Sequence, residues 1–150
     1  MSAELNKAIV RRFYQEIWNE RNSAVIDEIF APHCVTHQLS SGAAIETTAR
    51  DPETVKQHVA EWVKAFPDLR FEVEELLADS DRVVSRSVMH GTHEGDWHGI
   101  APTGRRVMIR MMVIHRIAGG QIVEDWVLVE SLGFFQQLGL VASTPEILSR

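Results

Sequence analysis

The chain has 150 residues, 45% of them hydrophobic and 24% charged, with a formal net charge of −6. That is the length of one domain with a single core, and an acid excess without any Lys/Arg run longer than a pair argues against a phosphate-binding patch and against nucleic acid as a partner. No stretch reaches the roughly 18 apolar residues of a membrane span, the opening MSAELNKAIVRRFY lacks a signal-type apolar core, and a lone Cys34 forms no internal disulfide, so the expectation is a cytoplasmic protein without a membrane partner.

Residues 3 to 18 carry apolar side chains every four positions, Leu5, Ile9, Phe13 and Ile17, widened by Val10, Tyr14 and Trp18, which predicts an amphipathic helix. Asn22-Ser23 offers a cap for a short second helix from about Ala24 to Phe30, stopped by Ala31-Pro32. In HCVTHQLSSG, Cys34 and Thr36 alternate with His33, Val35 and His37, a short strand pattern, and Ser40 to Arg50 reads as a loop. Asp51-Pro52-Glu53 is an N-cap, a proline at the first helical position and a first-turn acid. The helix it starts carries Val55, Val59, Trp62, Val63 and Phe66 inward and ends at Pro67. Asp68 to Ala78 and Arg82 to His93 read as strands about an Asp79-Ser80-Asp81 turn, and a loop, EGDWHGIAPTG, follows.

Two β-type runs flank Ala118-Gly119-Gly120-Gln121, and adjacent glycines between apolar runs signal a hairpin. In the first run Val107, Ile109, Met111, Val113 and His115 share one parity and Met108, Arg110, Met112, Ile114 and Arg116 the other, so both faces need cover. In the second, Asp125 goes with Val123, Val127 and Val129, whereas Glu124 goes with Ile122, Trp126, Leu128 and Glu130. Carboxylates inside an otherwise buried sheet cost free energy unless partnered, which points to a pocket or an interface. Leu132 to Leu140 reads as a short helix or turn, and 143–150 as a polar, frayed tail. The element order predicts a single α+β domain over 1–150, a curved antiparallel sheet wrapped by helices, with its concave side the natural ligand site.

The set NKAIVRRFYQEIWNERN, AFPDLRFEVEELLADSDRVVSR, GTHEGDWHGIAPTGRRV and GGQIVEDWVLVESLGFFQQLG resembles the SnoaL-like polyketide cyclases, or ester cyclases, of the NTF2-like superfamily over about residues 5 to 140. The resemblance implies a cone-shaped α+β barrel, a homodimer formed through the outer sheet face, a hydrophobic cavity, no metal or organic cofactor, and an intramolecular aldol ring closure on a polyketide ester. It reserves an acid/base Asp directly after the strand tryptophan, where this chain has Val127 after Trp126. It also reserves a pocket His six residues before the glycine turn, where this chain has Val113, and a His or Asp at the end of the short strand, present as His37.

A neutral imidazole can take a proton from carbon beside a carbonyl, which makes His37 the candidate base. By parity Asp125 points into the cavity and can stand in for the missing acid. Arg86 is either a pocket cation or an ion-pair partner of Glu124 or Asp125, and Arg110 suits a dimer interface. Tyr14, Trp62, Phe66, Met89 and Met111 are candidate cavity walls beside Val113 and Val127, and Trp97 with His98 forms a candidate lid. His90, His93 and His98 lack a completing Cys or carboxylate at ligand spacing, so His93 reads as a turn hydrogen-bonder and no metal is expected. Glu130 reads as structural, and neither Cys34 nor any serine sits in a nucleophile motif. Two functions fit: a cofactor-independent proton-transfer enzyme (aldol cyclisation, isomerisation or dehydration) on a hydrophobic carbonyl compound, or a non-catalytic binder of a hydrophobic small molecule.

Overall fold

A computed structural model describes residues 2–41 and 46–150. Helices α1 (Ala3–Arg12), α2 (Ala24–Ile29) and α3 (Pro52–Ala65) accompany strands β1 (Phe30–Gln38), β2 (Thr47–Arg50), β3 (Arg70–Asp79), β4 (Arg82–Thr92), β5 (Arg106–Ala118) and β6 (Gln121–Val129). Short helices α4 (Ser131–Gln137) and α5 (Thr144–Leu148) follow. The strands form one six-stranded sheet in the order β2-β1-β6-β5-β4-β3. The expected α+β, NTF2-like architecture is what forms.

Ser2 caps α1 by accepting from Leu5 N–H. Instead of ending, α1 widens into a π-helical stretch, Phe13–Asn19, which buries Tyr14, Ile17 and Trp18. Leu5, expected inward, is exposed, because the face of α1 turned to the protein carries Asn6, whose side-chain N–H donates to Ser80 O, and Val10. Asp51 caps α3 in a reciprocal capping box with Thr54, as its Asp-Pro start requires. At its other end Ala65 O accepts from both Glu94 and Gly95 N–H, and a Cβ on Gly95 would stand 2.1 Å from Lys64 O. The loop bearing Trp97 is thus clamped onto α3.

Gly119 and Gly120, at φ 58° and 76°, make the two-residue turn between β5 and β6. The buried core runs from Val10, Tyr14 and Ile17 through Ile26, Ile29 and Phe66 to Ile109 and Ile122.

The structure corrects further expectations. Ser23 makes no side-chain cap, and the backbone is already extended at Phe30, so Pro32 lies within β1, in a stretch where the register with β6 shifts. Thr47–Arg50, expected as loop, pairs with β1 as β2, and the rest of that expected loop includes 42–45, outside the described residues. The sheet is not wholly antiparallel, because β1 pairs with β6 in parallel. Periodicity reports which residues share a face and is blind to which strand becomes a neighbour. The polar tail is not frayed throughout, since Ser143 and Glu146 form a capping box that starts α5.

Candidate functional site

The sheet's concave side and the helices enclose a cavity of about 250 Å³. The π-helical stretch contributes Phe13, Tyr14 and Trp18, α3 contributes Val55, His58, Val59 and Trp62, and the sheet contributes Met89, Met111, Val113, Val127 and Val129. Trp97 closes one side against Trp62, Phe134 and Phe135, with ring centroids 4.9 to 6.1 Å apart. Such walls bury a flat, apolar ligand well.

One chain of polar groups runs into this apolar chamber. Tyr14 OH lies 2.7 Å from Ser85 Oγ, Ser85 Oγ lies 2.9 Å from His115 Nε2, and His115 Nδ1 lies 3.0 Å from Asp125 Oδ1. Ser85 and His115 are fully buried, and Tyr14, His115 and Asp125 all line the cavity. A carboxylate at Asp125 requires Nδ1 to carry the proton, so a neutral imidazole must accept at Nε2. The hydrogen bonds then run in one direction, with Tyr14 O–H donating to Ser85, Ser85 O–H to His115, and Nδ1–H to Asp125. Burial pushes the Tyr14 phenol up to about 12, so it stays a neutral donor. Asp125 Oδ2 has no hydrogen-bond partner among the described residues and is the oxygen free to meet a ligand.

A second polar group comes from β1, β2 and α3. Gln38, Arg50 and His58 line the cavity there. Burial, with the positive charge of Arg50 and the nearby His98, lowers His58 to about 4 and keeps its imidazole neutral at physiological pH. The thiol of Cys34 is pushed up to about 11 by burial, which fits its reading as inert.

The expected site residues divide cleanly. Tyr14, Trp62, Met89, Trp97, Met111, Val113, Asp125 and Val127 line the cavity. His37 does not. It alternates with Thr36 and Gln38 and therefore faces the outer side of the sheet, stacked on Trp126 with its Nε2 2.7 Å from Glu124 Oε2. Arg86 also lies outside, paired with Glu74 and Glu75 rather than with Glu124 or Asp125, because β3 and not β6 is its neighbour on that side. Arg110 joins Glu74 on the same outer face. Phe66 is fully buried core beneath Trp62 and His93, not a cavity wall. His98, at φ 48°, is exposed, so Trp97 alone of the pair covers the cavity.

Of the three loop-region histidines, His93 is a turn hydrogen-bonder, its Nδ1 accepting from Thr103 N–H. His90 meets Glu72 outside the cavity, and no metal-ligand cluster occurs among the described residues. Glu130 caps α4 through Gly133 N–H.

His115 and Ser85 are the functional candidates that sequence reading passed over. A regular hairpin counted from Ala118↔Gln121 sets His115 opposite Glu124. The register shifts by one residue between Arg116 and Ile117, and His115 instead faces Asp125. The available signal was the shared parity of His115 with Val113. Asp125, as its parity predicted, shares the cavity face.

A cone of helix and sheet around one apolar chamber, with a buried imidazole–carboxylate pair at its wall, defines a small α+β protein of the NTF2-like class. The profile of the SnoaL-like polyketide cyclases matches residues 8–138, and the chain belongs to that family. It is 29% identical over 136 residues to the aklanonic acid methyl ester cyclase AcmA of Streptomyces galilaeus, covering 88% of this chain and 89% of that one. Among solved structures it resembles AclR of Streptomyces galilaeus, described provisionally as a hydroxylase, with a TM-score of 0.81 at 26% identity, covering 98% of this chain and 88% of that one. It also resembles IdmH of Streptomyces antibioticus, described provisionally as a polyketide cyclase, with a TM-score of 0.76 at 28% identity, covering 89% and 98%.

Proposed function

We propose that the protein catalyses a cofactor-independent intramolecular aldol cyclisation of a hydrophobic polyketide ester, with Asp125 as the base. The observation that carries this reading is the hydrogen-bonded chain ending at Asp125, which supplies the carboxylate of a mostly apolar chamber. Asp125 Oδ2 takes a proton from the carbon beside a carbonyl, the enolate carbon bonds to a second carbonyl of the same molecule, and the proton returns to the new alkoxide. No atom is gained or lost. His115 is the positioning residue, fixing Oδ1 through Nδ1–H and turning Oδ2 toward the ligand. The apolar walls exclude water, which would otherwise protonate the enolate.

The family positions add support. Val113 and Val127, where the resemblance reserves His and Asp, face each other across β5 and β6, and His115 and Asp125 face each other two residues along the same ladder. The same pair of residue types is kept, shifted toward the hairpin turn. A purely binding role gives no account of a polar chain that costs free energy to bury.

The protein is further proposed to be a homodimer in the cytoplasm. The outer sheet face exposes Met108, Met112 and Leu128, each 45–50% accessible, on adjacent strands. No helix among the described residues is long and apolar enough to cross a membrane.

The test is turnover of aklanonic acid methyl ester, the compound in the name of the relative AcmA, followed by chromatography and mass spectrometry. The expected product has the mass of the substrate and a shifted absorbance, and Asp125→Asn lowers its rate by about 10²- to 10⁴-fold. An Asp125→Asn variant as fast as the parent overturns the assignment.

A further inference from the structure

Among the described residues the cavity is lined by one carboxylate, Asp125, and one permanent cation, Arg50. The catalytic proposal uses the first and leaves the second unexplained. Arg50 ends β2, directly before the α3 cap. It makes no ion pair among the described residues, as several other arginines do not, but of these it alone lines the cavity. The adjacent carboxylate of Asp51 is engaged by Thr54 in capping α3. Arg50 lies opposite the buried Cys34, on the sheet's inner face, and a half-buried arginine on a mostly apolar cavity wall without a counter-ion is a place an anion can occupy.

Its surroundings suit one. Gln38 and His58 line the chamber beside it, and the His58 imidazole touches Trp18 and Trp62 edgewise but makes no hydrogen bond among the described residues. A neutral imidazole and an amide can both donate to an oxygen that the guanidinium holds. The indole N–H groups of Trp18 and Trp97, on two further lining residues, also lack acceptors among the described residues.

The sheet register sets the separation of the two charges. Arg50 lies opposite Cys34, on one side of β1, and Asp125 lies opposite Thr36, on the other. Two strand spacings across and two residues along put their Cα atoms roughly 12 Å apart. The two residues thus approach the cavity from different strands, β2 and β6, with β1 between them.

We infer that Arg50, with Gln38 and His58, forms an oxyanion-binding pole of the cavity that selects polycyclic ketones carrying an ionised carboxylate or phenolate remote from the reacting carbon. This rests on the reading of the cavity as the substrate chamber. Arg50 fixes which end of the ligand enters first and so which carbon meets Asp125. A planar guanidinium accepts a carboxylate through two parallel hydrogen bonds and a phenolate through one.

The test is ligand binding followed by tryptophan fluorescence quenching at pH 8, where the carboxylate probe is ionised. Anthraquinone-2-carboxylate and its methyl ester probe the carboxylate, and alizarin and its dimethyl ether probe the phenolate. The expected result is at least tenfold tighter binding of one ionised probe than of its neutral counterpart, and the probe preferred identifies the source of the oxyanion. Arg50→Gln abolishes that preference while changing the neutral ligand's affinity less than twofold, and Arg50→Lys restores part of it. Equal affinity within both pairs, or a preference that survives Arg50→Gln, overturns the oxyanion pole and leaves the role of Asp125 standing. Failure of all four ligands to bind overturns the pole together with the chamber reading.

Discussion

His115 Nδ1 lies 3.0 Å from Asp125 Oδ1 across the β5–β6 ladder, with both groups facing one apolar cavity. An imidazole locked in this way acts through the carboxylate it holds. His115→Gln is expected to lower kcat about 10- to 100-fold with little change in KM, and the His115→Gln/Asp125→Asn double variant to be no slower than Asp125→Asn alone, because groups that act as a unit are non-additive. Steady-state kinetics on the four forms checks this.

His37 sits on the other side of the sheet, between Glu124, Thr47 and Trp126. His37→Ala is expected to leave kcat/KM within about twofold of the parent, as for surface substitutions remote from a site. A hundredfold loss would relocate the chemistry to the outer face.

The partly buried His58 and the buried Tyr14 make stability depend on pH. His58 falls from 6.5 to about 4 in the fold, so the unfolded chain binds the extra proton. Its neutral burial is free of penalty above about pH 6.5, and stability declines as pH falls from there toward 4, by up to about 3 kcal/mol. Tyr14 rises from 10 to about 12, so its contribution is complete below pH 10 and is lost as pH climbs through 12. Urea unfolding across pH 4 to 7 is expected to show the acid slope in the parent and a shallower one in His58→Phe.

Phe66 carries the junction of α3, the His93 turn and α4, stacked 5.8 Å from Trp62 and 5.4 Å from His93. Phe66→Ala is expected to cost about 3–5 kcal/mol as a buried aromatic truncation. Gly91 packs against it so tightly that an added Cβ would lie 3.1 Å from Phe66 Cβ. Thermal melts should place Phe66→Ala far below the parent, with the far-UV spectrum of the fold retained before the melt.

Met112 and Leu128 face each other on the outer side of the sheet. A charge there opposes apolar association, so Met112→Glu is expected to convert a dimer into a monomer in light scattering with little loss of monomer stability. A parent protein that scatters as a monomer at micromolar concentration would remove the proposed dimer.

Much of the fold was legible because its signals are local. The Gly119-Gly120 turn, the Asp51-Pro52 helix start and the parity of Val107, Ile109, Met111 and Val113 each fix structure without knowledge of distant partners. Neighbour relations were not legible. The register of β1 on β6 sets Thr36 beside Asp125 on the cavity face and His37 beside Trp126 on the outer one, and pairing of β4 with β3 gives Arg86 to Glu74 and Glu75. The site suffered most from the one-residue register shift beside Arg116, since it decides which carboxylate His115 meets. Asp125 was found because its own strand's alternation suffices to aim it. Ser85 was invisible because a serine in a strand carries no signal until its neighbours are known.

The most direct measurement is a crystal structure of the Asp125→Asn variant with aklanonic acid methyl ester bound. The account predicts the ester within the cone, its acidic carbon within about 3.2 Å of the residue 125 side chain and its distal oxygens toward Arg50. An ester seated on the outer face beside His37, or one whose acidic carbon lies at Arg50 with Asp125 untouched, would contradict it.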